Sequence, residues 1–580
     1  MTAQRISGRR MTAALVIVFL VAGVFVSRLV DVQVVRAAEL QEQSTQIRTT
    51  NETIWASRGA IVDGFGNQLA VDVDRYDISA NPSAVGDFRR SGEVVTVSQA
   101  LSEVATLTGA SYDEMLFAVL ENPTSKFVYL TKGVGPETRT ALRDLRIPWL
   151  QMDLVRERTY PFGAVAGNLT GMLGRDEPLG GTELMQNSCL QAENGVATYQ
   201  KGADGVRLPG TTTVVKDPVH GGTVHLTIDS DLQWYVLQQL AEHGTRLQAE
   251  YGSAMVVRVS DGHILAAADW PTFDPNDFSA TPNQHTGARI FSTPYEPGST
   301  MKSVGIAMLL DSGLTYPGDR IVAPGFYQAA PGRFIKNSVV ADARQLTTAG
   351  VLFTSSNTGI SVLSNRMSKN QAHQYFQEFG FGSSTGIDFL GESRGVLRTP
   401  ADVDVLTRYA QFYGQGISVT SAQMAGAYQI LANDGLRVPL RLVEGCQTRG
   451  GEFVPTPVAA PTQVVSAQAA RDTVNILEAV VSKSFLRNAL EIPGYRVAAK
   501  TGTAEIANRS GYGSERVISL AGMAPAENPE YVVLVSFHRP QTSRVSAGAA
   551  PAFQEIMSQV LKHYRVAPST EPAELPQLNW

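Results

Sequence analysis

Ser299 and Lys302 stand three residues apart in the stretch YEPGSTMKS, residues 295–303, directly after Pro297 and Gly298. A serine hydroxyl is a poor nucleophile until a base takes its proton, and a lysine kept neutral by desolvation can be that base. The apolar residues Met301, Ile306, Met308 and Leu309 predict a helix here, with Gly313 placed to stop it. Three residues is almost one helical turn, so the two side chains share a face. Ser299 then lies at the helix N-terminus, where exposed backbone N–H groups favour developing negative charge. The chain has ten lysines, and Lys302 alone has a serine three residues before it. A single Ser-x-x-Lys match is nonetheless cheap, and the pair reads equally well as two ordinary polar residues opening a helix.

Two further stretches alter that balance. FTSSNTG supplies Ser355, Ser356 and Asn357, and AAKTGTAE supplies Lys500, Thr501, Gly502 and Thr503 in a strand-like run. Taken alone, Asn357 is a turn or cap residue, and Lys500 is the charge that keeps an edge strand from aggregating. Taken together, Ser-x-x-Lys, Ser-x-Asn and Lys-Thr-Gly, in this order and spacing, resemble the signature of the penicillin-recognising acyltransferases.

The elements that must position these residues can be read around them. In GGTVHLTIDSDLQWYVLQQLAEHG, residues 221–244, an alternating strand (Val224, Leu226, Ile228) meets Asp229 or Ser230 as a helix cap. The following helix carries Leu232, Val236, Leu237 and Leu240 at helical spacing. GSAMVVRVSDGHILAAAD, residues 252–269, reads as two strands around a Ser260-Asp261-Gly262 turn. YRVAAKTGTAEI, RVISLAGMAP and YVVLVSFHRP read as three more strands near the far end, with a long helical middle between the two groups. Strands at both ends and helices between predict an α+β domain, a central antiparallel sheet packed by helices, over residues 216–565. Residues 33–215 read as a separate globular part that mixes polar and charged stretches with short strand-like and helical runs, and the proline-rich tail 566–580 reads as loose.

At the N-terminus Arg5, Arg9 and Arg10 precede an uncharged run from Met11 to Ser27, which extends to Val32 if Arg28 snorkels. This length suits a single transmembrane anchor over residues 11–32, with residues 1–10 in the cytoplasm. A cleaved signal peptide is the other reading, but no small-x-small site follows the run. With 580 residues, 43% of them hydrophobic, the chain can hold a large core. A net charge of −6 without a basic stripe argues against nucleic acid as a partner. The eight histidines form no metal-ligand cluster, so neither a metal nor another cofactor is expected. Cys189 and Cys446 lie far apart in sequence, and a disulfide framework is not indicated.

The chain as a whole resembles one branch of that superfamily, the class B penicillin-binding proteins, and within it the division-specific transpeptidases of the FtsI type. SRGAIVDGFGNQLA (57–70) and RTYPFGAVAGNLTGMLG (158–174) resemble pedestal motifs of the branch, and LTIDSDLQ resembles the entry to its catalytic domain. PTFDPNDF and the YEPGSTMK form of the first box lean toward division enzymes. Gly64 departs from the arginine usual in the family, and GGTELMQNSCLQAENG (180–195) follows the usual Gly-x-Glu segment only loosely.

The resemblance implies a peptidoglycan stem peptide ending in D-Ala-D-Ala as substrate. It implies Ser299 as nucleophile, Lys302 as its neutral base, Ser355 and Lys500 as a proton relay, and Asn357 as the holder of the donor peptide's amide. Thr501 and Thr503 would orient the terminal carboxylate, and the backbone N–H groups of Ser299 and Thr503 would form the oxyanion hole. Gly502 would let the substrate backbone approach the strand, so that a valine there spares the fold and blocks the cleft. The implied partners are β-lactams as covalent inhibitors, the membrane, a SEDS-family glycan polymerase and other division proteins. The implied place is the septal membrane, with the catalytic domain extracytoplasmic. Two rival readings use the same boxes: a β-lactamase or D,D-carboxypeptidase with water as acceptor, and a non-catalytic sensor or scaffold.

Overall fold

A computed structural model describes residues 8–580 except 175–176, 203–206, 280, 340–341 and 509–510. Arg5 of the arginine cluster falls outside the described residues. Contacts divide the chain into two units, one of residues 1–57 with 192–220 and one of residues 58–191 with 221–580.

The first unit begins with the helix Gly8–Val30, which runs on through a wider turn at Asp31–Val35. This 28-residue stretch holds an 18-residue window with a mean hydropathy of 2.6. At 1.5 Å per residue the stretch spans about 42 Å, enough to cross a hydrocarbon core of roughly 30 Å. None of that window is buried against the described residues, so its apolar surface is left for lipid. Arg28 and Arg36 both pair with Asp31 where the apolar run ends. The helix Ala37–Arg48 then leads into a three-stranded sheet of Thr49–Ile54, Gly195–Gln200 and Thr213–Lys216.

In the second unit, Ile61–Val62, Gln68–Ala80, Val128–Val134 and Leu150–Thr159 form a seven-stranded sheet with three strands from later in the chain, Thr223–Leu226, Val443–Gln447 and Phe453–Pro455. Thr223–Leu226 pairs parallel to Ile61–Val62 on one side and antiparallel to Val443–Gln447 on the other. A buried ionic centre lies within this part. Glu183 is inaccessible to solvent and accepts from Arg58 (2.6 Å), Arg158 (2.7 Å) and Tyr160 (3.3 Å). Two guanidinium groups on one carboxylate keep the charge paired, and removal of Glu183 would leave the largely buried Arg58 guanidinium without its ionic partner. Burial, with the Glu183 charge beside it, pushes the Tyr160 hydroxyl up. The segment that departs from the family pattern in sequence therefore still delivers its glutamate, through Gly181-Thr182-Glu183, to the centre of the packing.

Cys189 and Cys446 form a disulfide, contrary to the expectation from their spacing. The pairing Val224↔Cys446 brings one cysteine beside Gly222, and the helical turn Asn187–Leu190 brings the other, with Gly222 N–H donating to the Cys189 carbonyl. A Cβ at Gly222 would lie 3.2 Å from both sulfurs and 2.7 Å from the Gln447 carbonyl oxygen, so only glycine fits against the bridge. Sheet pairing, which a count of residues between cysteines does not see, is what closes the 257-residue separation.

The C-terminal part of this unit starts with helix α1 (Ser230–Leu247), whose cap is Asp229, accepting from the N–H groups of Asp231 and Leu232. Strands β1 (Tyr251–Arg258) and β2 (Ile264–Trp270) form the expected hairpin. The middle contributes α2 (Met301–Asp311), α3 (Asn357–Ser364), α4 (Ser421–Ala432) and α5 (Ala467–Lys483). Strands β3 (Ala498–Asn508), β4 (Gly511–Ala524) and β5 (Tyr531–His538) return to the sheet, and α6 (Ala550–His563) closes the domain. The sheet order is β2-β1-β5-β4-β3, with every neighbour antiparallel, so β3 is an edge. Alternation along β5 sends Val533, Val535 and Phe537 to α1 and α6, and Val532 and Leu534 to the helical middle. Both faces are thus buried, which is why these strands read as continuous apolar runs.

The C-terminal tail is docked at its far end, not loose. Thr347 donates its backbone N–H to the Leu578 carbonyl and its hydroxyl to the Gln577 carbonyl. The Trp580 indole N–H is shared between the carbonyls of Ile321 (3.2 Å) and Leu346 (3.1 Å). Those partners lie on the two-stranded sheet Arg320–Ala323 and Arg344–Thr347, whose exposed backbone the tail covers.

Candidate active site

Ser299 lies in a single tight turn, Gly298–Thr300, that runs directly into α2. Gly298 has φ +58°, and a Cβ there would meet the Thr503 carbonyl oxygen at 2.6 Å. Glycine is needed for the backbone angle and for the approach to β3 at once. The turn is pinned from beneath by Tyr428 of α4, which donates to the Thr300 carbonyl (3.1 Å) and bonds the Ser303 hydroxyl (2.9 Å). From the side, Glu296 accepts from the Gly416 N–H and the Tyr512 hydroxyl. Burial pushes the Glu296 carboxyl up, with those two donors opposing it. Motif reading passes over Tyr428 because an aromatic residue in a helix is ordinarily core. It passes over Glu296 because the residue's partners lie more than a hundred positions away.

Lys302 is 1% exposed. Its ammonium nitrogen is 3.0 Å from Ser299 Oγ, 3.1 Å from Ser355 Oγ and 2.7 Å from the Ser355 carbonyl oxygen. Burial first, and the charge of Lys500 second, hold its pKa well below the usual lysine range. The lysine is therefore disposed to be neutral and to accept a proton from the serine beside it. Ser355 reaches this position with φ +55°, an angle rare for a residue with a side chain, at the break between the helix Thr348–Phe353 and α3.

Ser356 caps α3 by accepting from the Gly359 N–H, and Asn357 is the first helical residue. The Asn357 amide nitrogen donates to the Lys336 carbonyl (3.2 Å), at the end of the Phe326–Ala330 and Arg333–Lys336 hairpin. Lys500 is buried on β3 and donates to the Thr501 carbonyl (3.1 Å), and burial brings its pKa down to about 8. Thr501 is half-buried and Thr503 exposed on the edge strand. Among the described residues no hydrogen bond joins Lys500 to Ser355 or Asn357 to Lys302. Ser299, Lys302 and Ser355 are thus brought into one hydrogen-bonded cluster. Lys500 joins them electrostatically, and Asn357 is held from outside it.

Gly502 differs from its expected role. A Cβ there would point inward, 2.5 Å from Ser519 Oγ, 2.9 Å from the Pro297 carbonyl oxygen and 3.0 Å from Thr300 Cγ2. The residue is glycine so that β3 can lie against the turn carrying Ser299, not to clear room for a substrate backbone.

Residues 252–558 match the penicillin binding protein transpeptidase domain and residues 53–178 the penicillin-binding protein dimerisation domain. The penicillin-binding protein PbpB of Mycobacterium tuberculosis is 31% identical over 97% of this chain and 85% of its own length. The peptidoglycan D,D-transpeptidase FtsI of Escherichia coli is 28% identical over 95% of this chain and 91% of its own. Among solved structures, a peptidoglycan synthetase from Bifidobacterium adolescentis superposes with a TM-score of 0.73 at 30% identity, covering 92% of this chain and all of that one. Penicillin binding protein 3 from Mycobacterium tuberculosis, complexed with aztreonam, gives 0.69 at 27% identity over 91% of this chain and all of that one. With both domains in sequence order and relatives matched over nearly its full length, this chain belongs to the class B penicillin-binding proteins, of the FtsI type.

Proposed function

We propose that this protein is a peptidoglycan D,D-transpeptidase that works through a Ser299 acyl-enzyme and is inhibited by β-lactams. The observation that carries the assignment of the nucleophile is the 3.0 Å contact between Ser299 Oγ and a buried lysine whose pKa is driven down. Ser299 Oγ attacks the carbonyl of the penultimate D-Ala while Lys302 takes the hydroxyl proton. The backbone N–H groups of Ser299 and Thr503 hold the oxyanion, and Thr501 and Thr503 orient the terminal carboxylate. Ser355 and Lys500 return a proton to the leaving nitrogen. The peptide bond breaks, the last D-Ala departs, and an ester to Ser299 remains. An amino group of a neighbouring stem peptide then attacks the ester, forming the cross-link amide and restoring the serine hydroxyl. Asn357 holds the donor peptide's amide throughout. A β-lactam follows the first half of this course and stays on Ser299.

The N-terminal apolar helix makes the chain a single-pass membrane protein. On this reading residues 1–10 are cytoplasmic, 33–215 serve as pedestal, 216–565 carry the extracytoplasmic transpeptidase, and 566–580 complete it. Similarity to relatives named FtsI supports a septal place, and the pedestal is the surface for a SEDS-family glycan polymerase and other division proteins. The test is labelling with a fluorescent penicillin followed by peptide mapping. The label is expected on Ser299 and absent from Ser299→Ala, which should still unfold at nearly the native temperature. Persistent labelling at another serine refutes the assignment.

A further inference from the structure

The N-terminus of α3 is capped from outside its own sequence. The first N–H groups of a helix have no intrahelical partner and must find one elsewhere. Here Ser356 Oγ accepts only the third of them, that of Gly359 (3.0 Å). The first two, from Asn357 (2.6 Å) and Thr358 (3.2 Å), both donate to Oδ1 of Asn337. Ser356 Oγ also lies within donating distance of that oxygen (3.3 Å), and Asn337 Nδ2 donates back to Thr358 Oγ1 (3.3 Å). Asn337 directly follows the strand Arg333–Lys336, and the carbonyl of Lys336 is the group that takes the Asn357 side-chain amide (3.2 Å). Two consecutive residues at the end of one hairpin thus hold both the backbone and the side chain of Asn357.

We propose that Asn337 is a positioning residue that sets the orientation of Asn357 toward the acyl side chain of the donor. This inference rests on the reading that Asn357 holds the donor's amide. Without the Asn337 oxygen, two helix N–H groups lose their acceptor and the first turn of α3 shifts to find water. Lys336 then no longer faces the Asn357 amide. Ser355 is held separately, by Lys302, so the loss falls on recognition of the acyl side chain and spares the proton-transfer groups.

The experiment compares acylation of the full-length protein by benzylpenicillin, which carries an acylamino side chain, and by 6-aminopenicillanic acid, which lacks it. Asn337→Ala is expected to slow benzylpenicillin acylation by about tenfold or more and to change the 6-aminopenicillanic acid rate by less than about threefold, a misalignment penalty confined to one contact. Asn337→Asp keeps an oxygen acceptor, and a carboxylate suits a helix N-terminus, so it should retain the native ratio of the two rates. Asn357→Ala is the reference and should shift the ratio as Asn337→Ala does. A ratio shifted by Asn357→Ala and left native by Asn337→Ala overturns the inference alone. A native ratio in Asn357→Ala overturns the reading of Asn357 beneath it. If Asn337→Ala does not fold, Asn337→Asp still decides, because a shifted ratio in that variant contradicts the acceptor's role.

Discussion

Replacing Gly502 by valine tests how β3 and the nucleophile turn fit together. A Cβ on residue 502 would sit 2.9 Å from the Pro297 carbonyl oxygen and 3.0 Å from Thr300 Cγ2, besides 2.5 Å from Ser519 Oγ. The serine hydroxyl can rotate away, but the Pro297 carbonyl is main chain, two residues before Ser299. Ordinary carbon contacts lie near 3.5 Å, so alanine alone requires the strand and the turn to part by roughly half an ångström. Valine adds two methyl groups to that Cβ and brings the displacement to about an ångström or more. Overpacking of this kind costs about 1–3 kcal/mol for the alanine, and more for the valine. The gain in strand propensity, at most about 1 kcal/mol, does not offset it. An ångström of misplacement at a reacting group can lower a rate by about a hundredfold. Gly502→Val is therefore expected to lower both the unfolding temperature and the rate of penicillin acylation, with Gly502→Ala intermediate in both. Thermal unfolding and the second-order rate of labelling by a fluorescent penicillin measure the two effects. A valine variant of native thermal stability with acylation lost would mean that the side chain points into the cleft, and the packing argument would fail. Native acylation would remove β3 from the site altogether.

Acylation should fall as the pH drops through the depressed pKa of Lys302, because only the neutral amine accepts the Ser299 proton. Lys500 carries charge below about pH 8 and disfavours a second charge on Lys302. Lys500→Met should thus raise the Lys302 pKa and move the acidic limb of the rate profile to higher pH, whatever the absolute rate; a limb that stays in place refutes the coupling. Cys189→Ser and Cys446→Ser should each lower the unfolding temperature, by a loss on the order of 2–4 kcal/mol, and the double variant should be no worse than either. Reductant should bring the native protein to the same temperature, and a native protein indifferent to reductant would mean that the bridge contributes nothing. Deleting residues 577–580 removes the acceptors of Thr347 and the Trp580 indole, at a cost of about 1–3 kcal/mol. An unchanged unfolding temperature after that deletion would refute the docking of the tail.

Local pattern alone determined much of this protein. The spacing of Ser299 and Lys302, the alternation of Val224, Leu226 and Ile228 before an Asp229 cap, the Ser260-Asp261-Gly262 turn and the apolar run after Arg10 each depend on neighbours within a few residues. One helical turn or one hairpin is enough to express them. Tertiary structure decided what depends on partners distant in sequence. The Cys189–Cys446 bridge exists because Thr223–Leu226 pairs with Val443–Gln447, and no spacing rule reaches across that many residues. Gly502 looked outward while the strand was considered alone, and turned inward once Pro297 and Thr300 were packed beneath it. The tail composition predicted looseness, but unpaired backbone at Ile321, Leu346 and Thr347 offers it hydrogen bonds. Asn337 has no motif of its own, and its role arises only when a hairpin end is laid against two free N–H groups of α3. Periodicity and motif spacing record what a residue does with its neighbours in sequence. Close approach, capping from afar and cross-linking record what the fold brings beside it, which is why they are decided only in three dimensions.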